Sequence, residues 1–374
     1  MKLRGNILTP QGFLAGTMEI AADGRIAEIA GTPLETARVR DAKDPIVLPG
    51  FIDLHVHGGG GHDIMEGTDA VARTAGMHAS HGTTALLATT VTAPASDLAQ
   101  AFRGIAPHCT ERTRGAARIL GVHLEGPYIN PGKLGAQPDF ARAFDAAELR
   151  LLNGIAPIRL ITLAPEMPGH LEAISRLKRE GFTVQLGHTL GTYEEGVAAL
   201  EHGAAGFTHL FNAMSGLHQR APGMVGAALA HARYAEIIPD LVHVHPGAIR
   251  AALRCIPQLF CVTDATAASG MPDGEYRLGT HTVTKCLGGV RLADGTLAGS
   301  SLTLDQALRN LVDGIGLELH QASLRVSTHA AEYLGLADRG HLAAGAWADA
   351  VLLDRDLVLT GVYVEGERVA HANA

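Results

Sequence analysis

The sequence predicts an α/β chain: a (β/α)8 TIM barrel with a small β-sandwich domain built from both chain termini. Three observations predict it. The middle of the chain alternates apolar, β-branched runs with helical patterns until eight strands are counted, the number a closed parallel barrel needs. Both ends instead alternate short β-like runs with turns. Several of the apolar runs close on His, Glu or Asp, and strand ends of a barrel all open onto one face.

The elements follow in chain order. Residues 1–48 hold the run MEIAADGRIAEIAG, which reads as a hairpin turning at Asp23-Gly24. Segment 340–374 repeats that style, with Glu365-Gly366 as a second turn. The expected division is therefore 1–48 plus 340–374 for the β domain and 49–339 for the barrel. Candidate barrel strands are 46–55, 83–91, 119–125, 158–164, 183–188, 206–211, 237–244 and 259–264. Helical patterns fall at 96–106, 170–180, 192–202, 247–255 and 304–315, and Thr192 with Glu195 fits a capping box. The Gly-rich, β-branched segment 274–298 reads as a hairpin inserted after strand eight.

The bulk properties bound the function. With 374 residues, 47% of them hydrophobic, the chain can bury a large core. A formal net charge of -8 and the lack of a basic run speak against nucleic acid. Cys109, Cys255, Cys261 and Cys286 have no C-x-x-C spacing, so reduced thiols in the cytoplasm are expected. The start MKLRGNILTP lacks a signal-type apolar segment, and no apolar run is long enough for a membrane span.

The chemistry lies in five motifs: HVH (His55, His57), HLEGP (Glu125), LGHT (His188), THLFNAM (His209) and VTDAT (Asp264). His55 and His57 are two apart on a strand, so both side chains point the same way and can grip one ion. Taken alone, that pair reads rather as two polar residues where a strand meets solvent; its place after PGFID on a first barrel strand favours metal binding. Glu125 could bridge or bind metal, or simply serve a loop. His188 and His209 end neighbouring strands, which strengthens each. Asp264 suits proton transfer beside an activated water, or a helix cap. Together the set suits a divalent metal such as zinc that activates water. His123, one layer deeper, is expected to be a hydrogen-bonded core residue. Apart from His243, the remaining histidines are read as surface or packing residues, with His62 and His245 closest to the site loops.

The stretches LPGFIDLHVHGGGG, HLEGPYINPGKLGA, QLGHT, THLFNAMSGL, LVHVHPGAIR, VTDATAASG and DGTLAGSSLT, in this order, resemble the amidohydrolase superfamily. Within it they are similar to the family that deacetylates N-acetyl amino-sugar phosphates. The resemblance implies hydrolysis of N-acetyl-D-glucosamine 6-phosphate to D-glucosamine 6-phosphate and acetate. The galactosamine epimer is the alternative substrate, and an inactive binding protein on this fold is the alternative from another class. It further implies that Glu125, His188 and His209 hold the principal metal, Zn2+ before Fe2+. His55, His57 and Asp264 would add further metal ligands at a second position, with Asp264 also the acid/base. Ala136, Gln137, Asn212, Ala213, Arg220, His243, Leu297, Ala298 and Gly299 would contact the sugar phosphate. Gln137 stands where many relatives have His, and its amide can donate a hydrogen bond but carries no transferable proton. A homodimer is expected on the same ground, with no nucleic-acid or membrane partner.

Overall fold

The structure, a computed structural model, describes residues 1–371, so positions 372–374 of the expected C-terminal segment lie outside it. The two ends of the chain meet in one seven-stranded sheet. Its order is Glu367–Val369, Leu359–Val364, Ala350–Leu353, Ile46–Pro49, Lys2–Thr9, Gly12–Ile20 and Ile26–Leu34. Ile7, Met18, Ile26, Val47 and Ala350 form a core separate from that of the barrel. Both expected turns are present. Glu365 and Gly366 have φ of 51° and 77°, the paired positive values of a tight hairpin turn. The two turns touch: a Cβ on Gly24 would lie 2.1 Å from the Glu365 carbonyl oxygen, so only glycine permits this approach.

Six parallel strands follow one another around the barrel: Phe51–Val56, Thr83–Thr90, Arg118–Glu125, Ile158–Leu163, Thr183–Leu186 and Gly206–Phe207. Tyr234–Ile237 and Gln258–Cys261 are the seventh and eighth, and they pair in parallel. The Leu210 amide donates to the Glu236 carbonyl at 2.9 Å, joining strand six to strand seven. The Asp264 amide donates to the His55 carbonyl at 3.0 Å, joining the end of strand eight back to strand one. Leu, Ile, Val and Ala side chains from these strands and the surrounding helices fill one large core.

Two expected strands are corrected. The run 46–55 is divided at Pro49-Gly50, and its halves serve different sheets. The seventh strand is Tyr234–Ile237 rather than 237–244. The Asp240 carboxylate accepts from the amides of Val242 and His243 at 2.9 and 2.8 Å, which makes that stretch a turn. The helices Ala95–Thr110, His170–Arg179, Tyr193–His202 and Pro246–Cys255 match expectation, and the Thr192/Glu195 capping box is formed in both directions. The pattern at 304–315 is a short α-helix, Leu304–Arg309, continued by a π-helical turn, Asn310–Ile315. The insertion after strand eight has three antiparallel strands, Gly274–Leu278, His281–Cys286 and Gly289–Arg291, rather than two.

Candidate metal centre

The strand ends bring all six proposed ligands together, each within 3.4 Å of at least one other. Glu125 is at the centre. Its Oε1 lies 3.1 Å from His188 Nε2 and 3.1 Å from His209 Nε2, and those two nitrogens are themselves 3.1 Å apart. Its Oε2 lies 3.0 Å from His57 Nε2 and 3.4 Å from His55 Nε2. Asp264 Oδ1 faces the same pair at 3.3 and 3.4 Å. All six residues are buried. His188, His209 and Asp264 adopt positive φ (49°, 26° and 51°), a conformation that costs energy for residues with a Cβ and clusters at functional sites.

These residues fit a divalent cation. Two donors about 2 Å from a tetrahedral ion sit roughly 3.3 Å apart, and the separations here run from 3.0 to 3.4 Å. Glu125, His188 and His209 form one converging triad, and His55, His57 and Glu125 form another. The electrostatics agree. Burial alone would raise the Glu125 and Asp264 pKa values, yet the imidazoles around them hold both below the ordinary carboxylate range. Burial alone would lower His57, yet Asp264 and Glu125 lift it to about 9. A field this favourable to positive charge favours a bound cation.

The supporting shell is ordered. His188 Nδ1 meets the Lys133 carbonyl at 2.8 Å, which suits an Nδ1–H tautomer with Nε2 free to ligate. Asp53, fully buried, receives the amide and hydroxyl of Thr263 and the amide of His55, locking strand eight to strand one. Burial pushes its pKa up to about 7. His123 is, as expected, a core residue: its Nε2 bonds Thr162 Oγ1 at 2.8 Å, and burial beside His55 holds its pKa well below normal.

Above the ligands opens a cavity of about 380 Å³. Of the proposed substrate contacts, Ala136, Gln137, Asn212, Ala213, His243, Leu297 and Gly299 line it. Arg220 does not: it is exposed on its own loop. Ala298 is buried behind the wall. Gln137 is held in one orientation, because the Thr92 amide donates to its Oε1 at 2.7 Å. Its Nε2 therefore faces Glu125 Oε2, at 2.5 Å. For His243, burial lowers the pKa, but the Asp240 carboxylate at 2.6 Å from Nδ1 outweighs it and favours the cationic form. Lys133, Thr296 and Leu278 also line the cavity; Lys133 and Thr296 lie within the stretches HLEGPYINPGKLGA and DGTLAGSSLT, and Leu278 lies in neither. Glu236 and Asp240 hold His55 and His243; Glu236 lies just before the expected seventh strand and Asp240 inside it, where the structure has a turn.

Among known proteins, the Amidohydrolase family model matches residues 46–369. The N-acetylgalactosamine-6-phosphate deacetylase of Escherichia coli is 40% identical over 368 residues, covering 96% of this chain and 97% of that one. The N-acetylglucosamine-6-phosphate deacetylase of Vibrio furnissii is 40% identical over 333 residues, covering 87% and 83%. A solved structure of N-acetyl-D-glucosamine-6-phosphate deacetylase from Mycobacterium smegmatis, an aspartate-to-alanine mutant in complex with N-acetyl-D-glucosamine-6-phosphate, has a TM-score of 0.90. It is 36% identical, with 98% of each chain covered.

Proposed function

We propose, from the premise that the chain belongs to the amidohydrolase family, that it hydrolyses the N-acetyl group of N-acetyl-D-glucosamine 6-phosphate, giving D-glucosamine 6-phosphate and acetate. The observation that carries this is the Glu125-centred donor cluster, with Asp264 beside it, at the floor of a sugar-sized cavity. The cation would be held by Glu125, His188 and His209, with His55 and His57 as a second position. Zinc is the first choice for such N/O donors and Fe2+ the second. Bound there, such an ion polarises an amide carbonyl and lowers the pKa of water.

The chain's own residues do the rest. Asp264, held anionic by its neighbours, takes the proton as water attacks the acetyl carbon and returns it to the departing amine nitrogen. Gln137, fixed by Thr92, presents N–H to the acetyl end. A cationic His243, with Asn212 and Ala213, contacts the sugar phosphate and orients it. Among the described residues, Lys133 is the one Lys or Arg on the wall. We therefore keep a homodimer in the proposal, with the exposed Arg220 completing the phosphate end of the neighbouring copy's cavity. The terminal sheet is taken as a small sandwich domain, 1–48 plus 340–374, beside a catalytic barrel, 49–339. The four unpaired thiols suit the cytoplasm.

A second reading is the galactosamine epimer. It draws on the 40% identical E. coli relative and on Gln137. The test is kcat/KM for the two 6-phosphates side by side. Preference for the gluco substrate supports the first reading, and preference for the galacto substrate supports the second. Acetate from neither would overturn both.

A further inference from the structure

We infer that Glu236 is a positioning residue for the ion site: it sets the tautomer of His55 and so decides whether the His55/His57 position can hold a cation. The inference rests on reading the centre as an ion site and is independent of which sugar is cleaved.

Glu236 is the one charged residue of strand seven, Tyr234–Ile237, and it is fully buried outside the cavity wall. Its Oε2 lies 3.1 Å from His55 Nδ1, and the backbone amide of His209 donates to the same oxygen at 3.2 Å. Among the described residues no Lys or Arg forms an ion pair with it; the His55 contact is its one salt bridge. A buried carboxylate without such compensation is costly; strand seven pairs through its backbone, so beyond accepting the His209 amide the carboxylate is not needed for strand pairing.

What the carboxylate does need is a donor, and the side chain facing it is His55. An acceptor at Nδ1 puts the proton there and leaves the Nε2 lone pair free. That Nε2 lies 3.1 Å from His57 Nε2 and 3.4 Å from both Glu125 and Asp264, inside the converging cluster. Without Glu236, the alternative tautomer would aim an N–H into the cluster and block ligation. His57 lacks such an orienter: its Nδ1 has no hydrogen-bond partner among the described residues. The whole first-strand position therefore depends on His55. Orienting carboxylates of this kind typically change metal affinity about 10- to 100-fold.

The test is cobalt(II) titration of the full chain, followed by ligand-field absorption and by metal content. His57→Ala defines which part of the signal belongs to the first-strand position. Glu236→Gln removes the charge but keeps an oxygen for the His209 amide, and Glu236→Leu removes the acceptor. We expect that part of the signal to weaken about 10-fold in the first variant and about 100-fold in the second. Binding at Glu125, His188 and His209 should change less than about 3-fold in both. Wild-type affinity in both variants, or equal weakening at both positions, would overturn the inference. Nitrogen-15 NMR of histidine in the zinc-loaded wild-type chain gives a check that needs no variant: His55 should carry its proton on Nδ1, and a proton on Nε2 overturns the inference. If the wild-type chain takes up no ion, the reading of the centre itself fails, a separate result.

Discussion

Replacing Asp264 with Asn isolates the proton-transfer step. The backbone of Asp264 makes its own bonds, donating to the His55 carbonyl at 3.0 Å and accepting from the Ser300 amide at 2.7 Å, and the substitution keeps both. Among the described residues the carboxylate's ion-pair contacts are to His57 and His55, at 3.3 and 3.4 Å, and none is to Arg or Lys. The Glu125, His188 and His209 triad does not include it. Fold, principal cation and substrate affinity should therefore survive. A positioned acid/base contributes about 10²- to 10⁴-fold, or roughly 3 to 5 kcal/mol of barrier. Because one carboxyl group here would serve both attack and departure, kcat should fall by about 10³-fold or more, with KM within about 3-fold. Steady-state acetate release, with metal content measured on the same sample, reads this directly. A kcat within about 10-fold of wild type would refute the role of Asp264.

Three further outcomes are expected. Gln137→Ala removes the amide that spans Thr92 and Glu125, and should lower kcat/KM for the acetylated sugar phosphate at least about 10-fold; an unchanged value removes Gln137 from the site. Gly187→Ala would place a Cβ 2.7 Å from Thr208 Cβ and 2.9 Å from Thr162 Cγ2, in the residue before His188. Urea melts should show a loss of about 1 to 3 kcal/mol, and cation affinity should fall with it; unchanged stability would contradict the packing described. Asp305 is buried, which alone would raise its pKa, but its bond to His81 brings it down from 3.8 to about 2. Its folded value is the lower one, so its contribution is present above about pH 4 and fades as pH falls toward 2. Asp305→Asn should cost about 2 kcal/mol at pH 7 and much less near pH 2.5, and a pH-independent cost would contradict this.

The parts of this molecule legible in the sequence are those fixed by local pattern. His55, His57, Glu125, His188, His209 and Asp264 could be found because each closes an apolar run, and the barrel gathers such ends. Thr192 and Glu195 announce their helix because a capping box is a four-residue device. The misses are places where tertiary context decides. IVLPGFIDLHV is one apolar run, and only the sheet topology shows that Pro49-Gly50 divides it between two sheets. Strand seven was displaced because IIPDLVHV is more apolar than YAEI. The buried Glu236, which makes YAEI look like surface, finds its partners in the His55 imidazole and the His209 amide, both distant in sequence. The same displacement put His243 on a strand, whereas Asp240 holds it on a turn. Cavity-lining residues such as Lys133 and Thr296 belong to no periodic pattern, so only the folded loops bring them in.

The central claim is that this cluster of imidazoles and carboxylates works as a cation-dependent amide hydrolase for a phosphorylated amino sugar. Acetate release from N-acetylglucosamine 6-phosphate, measured on metal-loaded protein and on the same protein stripped with a chelator, tests it most directly. Release is expected from the loaded protein, little or none after stripping, and recovery when zinc is returned. Undiminished release after stripping, or none from the loaded protein with either epimer, would contradict it.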